Sequence, residues 1–183
     1  MHKINHQKYV SLYHRATYEQ RLLGTAWYPN AQKEIKNLAA KYRLSLETIA
    51  GVTAAISPGL NWDINLKQAE MLLYDRLATV GVYGRKNRDK AIRILSGEKP
   101  LDVLGGAKVR SFYLALCGLD VPVIDRHLIR AIRSNAVEND FKPKERLYLK
   151  YAEALIKAAK ILNQKVTTVQ ATIWLVVRDE RSI

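Results

Sequence analysis

The strongest constraint on this chain is its hydrophobic period. Apolar residues recur at three- and four-residue intervals along the whole length, and no two-residue alternation runs between hairpin turns. A chain with this pattern folds as helices joined by short turns. Tyr9, Leu12, Tyr13, Ala16 and Tyr18 open an amphipathic stretch that is expected to reach Leu23 and stop at Gly24. Pro29-Asn30 then opens a helix over 31–42, with Ile35, Leu38, Ala39 and Tyr42 on one face. Ser45 is the expected N-cap of a helix over 46–56, whose small apolar interior predicts burial on most sides. Ser57-Pro58-Gly59 breaks the chain. Asp63 is expected to cap a helix over 64–80 with Ala69, Leu72, Leu73 and Leu77 inward. Further helices are predicted over 87–95, 100–104, 108–116, 125–134 and 143–162. The last starts at Thr167, where Thr167-x-x-Gln170 has the form of a capping box. Val166 and the β-branched tail also fit a strand locally, but the capping signal favours helix. The fold class is all-α, with roughly eight to ten helices.

Length and composition narrow the function. The 183 residues suit a single domain, or one body built of two lobes, and 48% apolar with 26% charged residues is a globular composition. The one cysteine, Cys117, excludes an internal disulfide framework and a cysteine-ligated zinc or iron–sulfur site, and it reads as a small apolar core residue. No metal or cofactor is expected. The apolar runs are far shorter than the roughly 20 residues of a membrane span. Met1-His2-Lys3-Ile4-Asn5-His6 leads into no apolar signal core, so a cytoplasmic, monomeric protein without a membrane partner is expected. Thirty Lys and Arg against seventeen Asp and Glu give a net charge of +13, which points to a polyanion, nucleic acid above all.

That charge is uneven. Between Arg85 and Arg110 eight basic residues stand against Asp89, Glu98 and Asp102. Arg126, Arg130 and Arg133 follow at four- and three-residue spacing and form one stripe. A stripe alone reads equally as a solvated helix face. Here it flanks Leu104-Gly105-Gly106-Ala107-Lys108, where two short helices meet at a pair of glycines. Glycine permits positive φ and close approach, and the amides opening the second helix form an anion site. Alone, such a turn also serves as a plain tight connection.

The next segment weighs against the plain reading. Val121-Pro122-Val123-Ile124-Asp125-Arg126-His127-Leu128-Ile129-Arg130 sets an acid at a helix start, 17 residues after Lys108. Together the two segments resemble the helix-hairpin-helix DNA glycosylase superfamily, which includes endonuclease-III-like and 8-oxoguanine-type enzymes. In that family a Gly-x-Gly-x-Lys hairpin opens a helix, and Val-Asp-x-His-x-x-Arg then delivers an aspartate. Gly106-Ala107-Lys108 stands for the hairpin end, with Leu104 in place of its first glycine. Thr53-Ala54-Ala55-Ile56-Ser57-Pro58 and Asn61-Trp62-Asp63 resemble the early helix and the loop that faces the minor groove. Pro58-Gly59 occupies the place of a gap-filling glutamine, leaving Leu60 or Asn61 for that role. Gln170-Ala171-Thr172-Ile173-Trp174 resembles the closing helix of small members. The resemblance covers about 45–178, with the hairpin at about 100–116. It implies a compact helical glycosylase-like fold with a cleft between two helical lobes, bound to double-stranded DNA without sequence preference and associated with the nucleoid.

The resemblance also implies roles. Gly105, Gly106, Ala107, Lys108, Arg110, Arg126 and Arg130 would contact DNA. Asp125 would stabilise the cationic sugar as a base departs, and Lys108 is the candidate nucleophile for a Schiff-base lyase step. Leu60, Asn61, Trp62, Tyr113 and His127 would fill the base pocket or the wedge, and Trp174 is a further stacking candidate. Each residue also has a plain reading: Asp125 as a helix cap, Lys108 as a phosphate-binding or solvated lysine, His127 and the aromatics as core. Two other functions use the same features: a non-catalytic DNA-binding module, and an enzyme of DNA base hypermodification.

Overall fold

The computed structural model describes residues 4–133 and 143–179. Among these residues there are ten helices and no strand, so the protein is all-α. The helices are α1 (His6–Arg15), α2 (Tyr18–Tyr42), α3 (Leu46–Ile56), α4 (Trp62–Tyr74), α5 (Arg85–Leu95), α6 (Pro100–Val103), α7 (Ala107–Leu116), α8 (Arg126–Ile132), α9 (Glu145–Ile161) and α10 (Val166–Asp179). They divide into two compact units, one of Met1–Asn30 with Gly118–Ile183 and one of Ala31–Cys117.

In the first unit α10 is the central element. Val166 to Ile173 are all buried, and α1, α8 and α9 pack against it. Its run of Val, Thr and Ile has modest helix propensity, so burial rather than propensity holds it. Lys8 Nζ reaches the Ile132 carbonyl at 2.8 Å and closes the C-terminus of α8, while the buried Tyr9 hydroxyl donates to the Leu128 carbonyl at 3.2 Å. In the second unit α3 is central, buried from Ile49 to Ile56, with α4, α5, α6 and α7 around it. The Ser45 hydroxyl accepts from Thr48 N at 3.0 Å, as its N-cap assignment predicts.

Several boundaries differ from the sequence reading. The first break falls at Ala16-Thr17, and α2 runs for 25 residues through both Gly24 and Pro29. Thr17 and Gln20 form a reciprocal capping box, with bonds of 3.0 and 3.1 Å, which starts the helix there. Gly24 does not terminate the helix but permits close approach to α10: a Cβ on it would lie 2.2 Å from Thr172 Oγ1 and 2.8 Å from the Thr172 backbone. Pro29 sits on the exposed side, where water can take the carbonyl it leaves unbonded.

Asn61, not Asp63, caps α4, accepting from Ile64 N at 3.0 Å. The helix ends at Tyr74, short of Val80, because Asp75 Oδ1 takes Leu77 N and turns the chain. Arg88 then holds the Arg76 and Ala78 carbonyls, and Gln68 Oε1 holds Gly81 N. Leu77, expected inward, is therefore 82% exposed. The capping box expected at Thr167 and Gln170 does not form. Asp120 caps α10 instead, taking Val166 N, Thr167 N and Thr167 Oγ1 at 3.1, 2.9 and 2.8 Å. α8 ends at Ile132, and Ser134, the expected end, lies outside the described residues.

Candidate functional site

The turn between α6 and α7 is built from local rules. Pro100 opens α6 at a position where its missing N–H costs nothing, and Leu104 N bonds back to the Pro100 carbonyl at 2.8 Å. Gly106 has φ +79°, a conformation glycine adopts freely, and nothing lies within 4 Å of where its Cβ would be. The outer side of the turn is thus open. Arg110 Nε donates to the Leu104 carbonyl at 2.9 Å and its Nη2 donates to the Leu101 carbonyl at 2.7 Å, so this predicted DNA contact also closes the end of α6. Gly106, the residue before α7, has no side chain with which to cap its first amides.

The charge at the helix starts is unusual. α2, α3, α4 and α9 follow the dipole rule, with Glu19, Glu47, Asp63 and Glu145 in their first turns. α5, α7 and α8 have no acid there. They carry Arg85, Lys86 and Arg88, then Lys108 and Arg110, then Arg126. A cation at a helix N-terminus is opposed by the dipole, by about 0.3–1 kcal/mol each. The start of α8 already carries the Asp125 carboxylate as its cap, whereas at the starts of α5 and α7, both in the second unit, these cations reinforce the positive potential of the dipole ends. Lys90, from α5, adds to it: its Nζ lies 3.5 Å from where a Cβ on Gly105 would be.

Asp125 belongs to the other unit and caps α8. Its Oδ1 takes both His127 N, at 2.9 Å, and Leu128 N, at 3.0 Å. Oδ2 makes no hydrogen bond to a described residue, and the side chain is half-buried rather than buried. Behind it residues 122–124 are held from two helices. Gln170 Oε1 accepts from Val123 N at 2.6 Å, and its Nε2 donates to the Tyr28 hydroxyl at 2.6 Å. The Tyr148 hydroxyl accepts from Ile124 N at 3.1 Å and donates to the Pro122 carbonyl at 3.2 Å. Burial, and next to it the Asp125 charge, hold the Tyr28 hydroxyl above the ordinary phenol range, so it remains neutral.

The remaining predicted residues divide by unit. His127, Arg126 and Arg130 lie with Asp125. The His127 ring stands edge-on to Trp174 at 5.8 Å, and the Arg178 guanidinium covers the Trp174 ring at 4.9 Å. Leu60, Asn61, Trp62 and Tyr113 lie in the second unit, as does the α6–α7 turn. Asn61 Oδ1 is committed to its cap. Trp62 Nε1 donates to Glu34 Oε2 at 2.6 Å and its ring meets Phe112 edge-on. Tyr113 is only 7% exposed and belongs to the core of its unit, so it offers no face to a base. Burial pushes the half-buried Cys117 thiol up, which disfavours the reactive thiolate.

Other features escaped the sequence reading. Val82 and Tyr83, 60% and 59% exposed, stand beside the basic start of α5 and flank Gly59. Gly81 and Gly84 bracket that turn in the sequence but give no sign of what it displays. Asp120 and Tyr148 carried no signal, and Gln170 read only as a local capping residue, since the partners of all three are remote in sequence. Among the described residues no group of three His, Cys, Asp or Glu is placed to hold a metal, and no helix is long and apolar enough to cross a membrane.

No curated protein and no solved structure matches the chain. A family model matches residues 2–181, and with that coverage the chain belongs to DUF7178, a family of unknown function.

Proposed function

We propose that the protein binds double-stranded DNA without reading its sequence and releases a damaged or modified base from it, as a DNA glycosylase. The observation that carries this reading is Asp125: one oxygen fixed by two cap bonds, the other without a hydrogen bond among the described residues, on a segment clamped by buried side chains. A helix cap needs only the first oxygen. The helix-hairpin-helix, with α6 and α7 as its helices, and the glycosylase-type fold are part of the same reading.

The work divides between the units. The open turn at Gly106, the amides of α7 and the bases Lys90, Arg85 and Lys86 grip phosphates, which fixes the protein on the duplex without sequence information. The target nucleotide leaves the stack, because its C1′ is inaccessible within the duplex. As the glycosidic bond breaks, positive charge grows on the sugar, and the Asp125 carboxylate stabilises it. In simple excision, water adds to C1′ and the base leaves. In the lyase variant the neutral Lys108 amine adds to C1′, the base leaves with the bonding pair, and the opened sugar forms a Schiff base.

A panel of lesion-containing duplexes tests the reading. Nicks without further treatment indicate lyase action, and nicks appearing only after heat or alkali indicate simple excision. Duplex that is bound but never nicked returns the protein to a non-catalytic binder, unless the mass of a base has changed, which indicates hypermodification. Affinity is expected to fall roughly tenfold or more between 50 and 200 mM salt through counterion release. A flat salt response in a filter or anisotropy assay would remove DNA as the partner.

A further inference from the structure

The geometry points to Gln170 and Tyr148 as positioning residues that set the Asp125 carboxylate from behind, an inference that rests on the reading above. Residues 122–124 belong to no helix or strand and are largely buried, and among the described residues no strand takes their backbone groups. Three bonds from two helices do so instead. Gln170, on α10, takes Val123 N, and the Tyr148 hydroxyl, on α9, brackets the same residue by accepting from Ile124 N and donating to the Pro122 carbonyl. Gln170 is 3% exposed and Tyr148 5%, and Tyr28, which takes the other end of Gln170, is also buried.

Polar groups buried this deeply destabilise unless every one is satisfied. An apolar α10 with a solvated loop would be the simpler structure. What the network secures is the direction in which the next residue leaves the loop. That residue is Asp125, already fixed on its far side by His127 N and Leu128 N. Clamped behind and capped ahead, the carboxylate is held through Oδ1, while Oδ2 makes no hydrogen bond to a described residue. A displacement of about an ångström at a reacting group can cost on the order of a hundredfold in rate.

The test uses Gln170→Met, which keeps length but makes neither bond, and Tyr148→Phe, which removes only the hydroxyl. Gln170→Glu is the conservative variant. Buried and protonated at pH 6, it offers the same carbonyl acceptor and an O–H donor in place of the amide. On a duplex that the native protein processes, the single-turnover rate should fall about 10- to 100-fold in the first two variants, with duplex affinity held within about twofold. Gln170→Glu should recover most of the rate at pH 6. Amide exchange by NMR should quicken at Val123 and Ile124 and also at His127 and Leu128, while the interior amides of α9 and α10 stay protected. Unchanged exchange at His127 and Leu128 overturns the inference whatever the activity. So does a rate loss that tracks a lowered folded fraction, or one matched by lost affinity. If the native protein releases no base from any duplex, the catalytic reading falls, while the exchange result still decides whether the network positions Asp125.

Discussion

The turn at 104–106 and the loop at 118–125 have comparable jobs and opposite construction. Each delivers a short segment to the start of a helix that carries candidate function. The turn takes its shape from its own residues: Pro100 opens α6, Gly106 supplies a positive φ, and Arg110 reaches back six and nine residues to close it. The loop takes its shape from far away. Gln170 holds Val123 across 47 residues and Tyr148 holds Ile124 across 24, while Asp120 reaches α10 across 46 and 47. On the proposed reading, an open turn suits a grip on a varied backbone, and a clamped loop suits an acid that must meet one atom.

The largest test of that contrast is Asp125→Asn. The amide keeps an oxygen for His127 N and Leu128 N, so the cap and the fold survive. The charge is lost, and the loss falls where the sugar becomes cationic, so base release should drop about 10²- to 10³-fold. Duplex affinity should stay within about twofold. Full activity in single-turnover assays would make Asp125 a cap and nothing more, and the two regions would then differ in architecture but not in function.

Next in size is Asp120→Ala. It strips three bonds from the first turn of α10, two from backbone amides and one from the Thr167 hydroxyl. The first unit should lose about 2 kcal/mol, read from urea unfolding, since charged caps are at the strong end of such bonds. Asp120→Asn retains one acceptor oxygen and should lose about half as much. An unmoved midpoint in Asp120→Ala would mean that Thr167 and Gln170 form their own box once released, and that the long-range clamp is dispensable.

These residues also mark where the sequence was legible. The all-α class, the caps at Ser45 and Asp125 and the glycine turn before Lys108 follow from signals within a few residues of one another, and all were readable. Thr17-x-x-Gln20 was equally local, but a continuous amphipathic run masked it. Gly24 read as a stop because its sequence neighbours give no sign of Thr172 pressing on it. Thr167-x-x-Gln170 has the right spacing for a box, and it lost to a carboxylate 47 residues away. Gln170 was thereby free to turn to Val123 and Tyr28. Local capping patterns are correct only when no better acceptor arrives through space. The shape of the α6–α7 turn was legible for the same local reason. What holds Asp125 was not.

Gly106→Ala examines the turn by its own rule. A Cβ meets nothing within 4 Å, so the whole effect is backbone. Holding alanine at φ +79° and ψ 136°, outside the left-handed helical well, costs about 1–3 kcal/mol. The turn can relieve that by relaxing, which would misdirect the first amides of α7. A melting temperature lowered by several degrees and duplex affinity weakened several-fold are expected together. Unchanged affinity at lowered stability would detach the turn from DNA binding.

The smallest effect is expected at the neighbouring glycine, and it separates two reasons for having one. Gly105 is not in the positive-φ region, and its Cβ would have only Lys90 Nζ nearby, at 3.5 Å, the end of a flexible side chain. Alanine should therefore leave the fold intact, or stabilise it by up to about 0.4–1 kcal/mol through a less disordered unfolded chain. If the second unit brings its backbone against a phosphate at Gly105, the added methyl still stands in the way and nudges Lys90 aside. Duplex affinity should then drop a few-fold in Gly105→Ala while the melting temperature holds or rises. That opposite movement of stability and affinity is what a contact glycine produces and a conformational glycine such as Gly106 does not. If both hold or rise, Gly105 touches nothing in the complex, and the grip is confined to Gly106 and the amides beyond it.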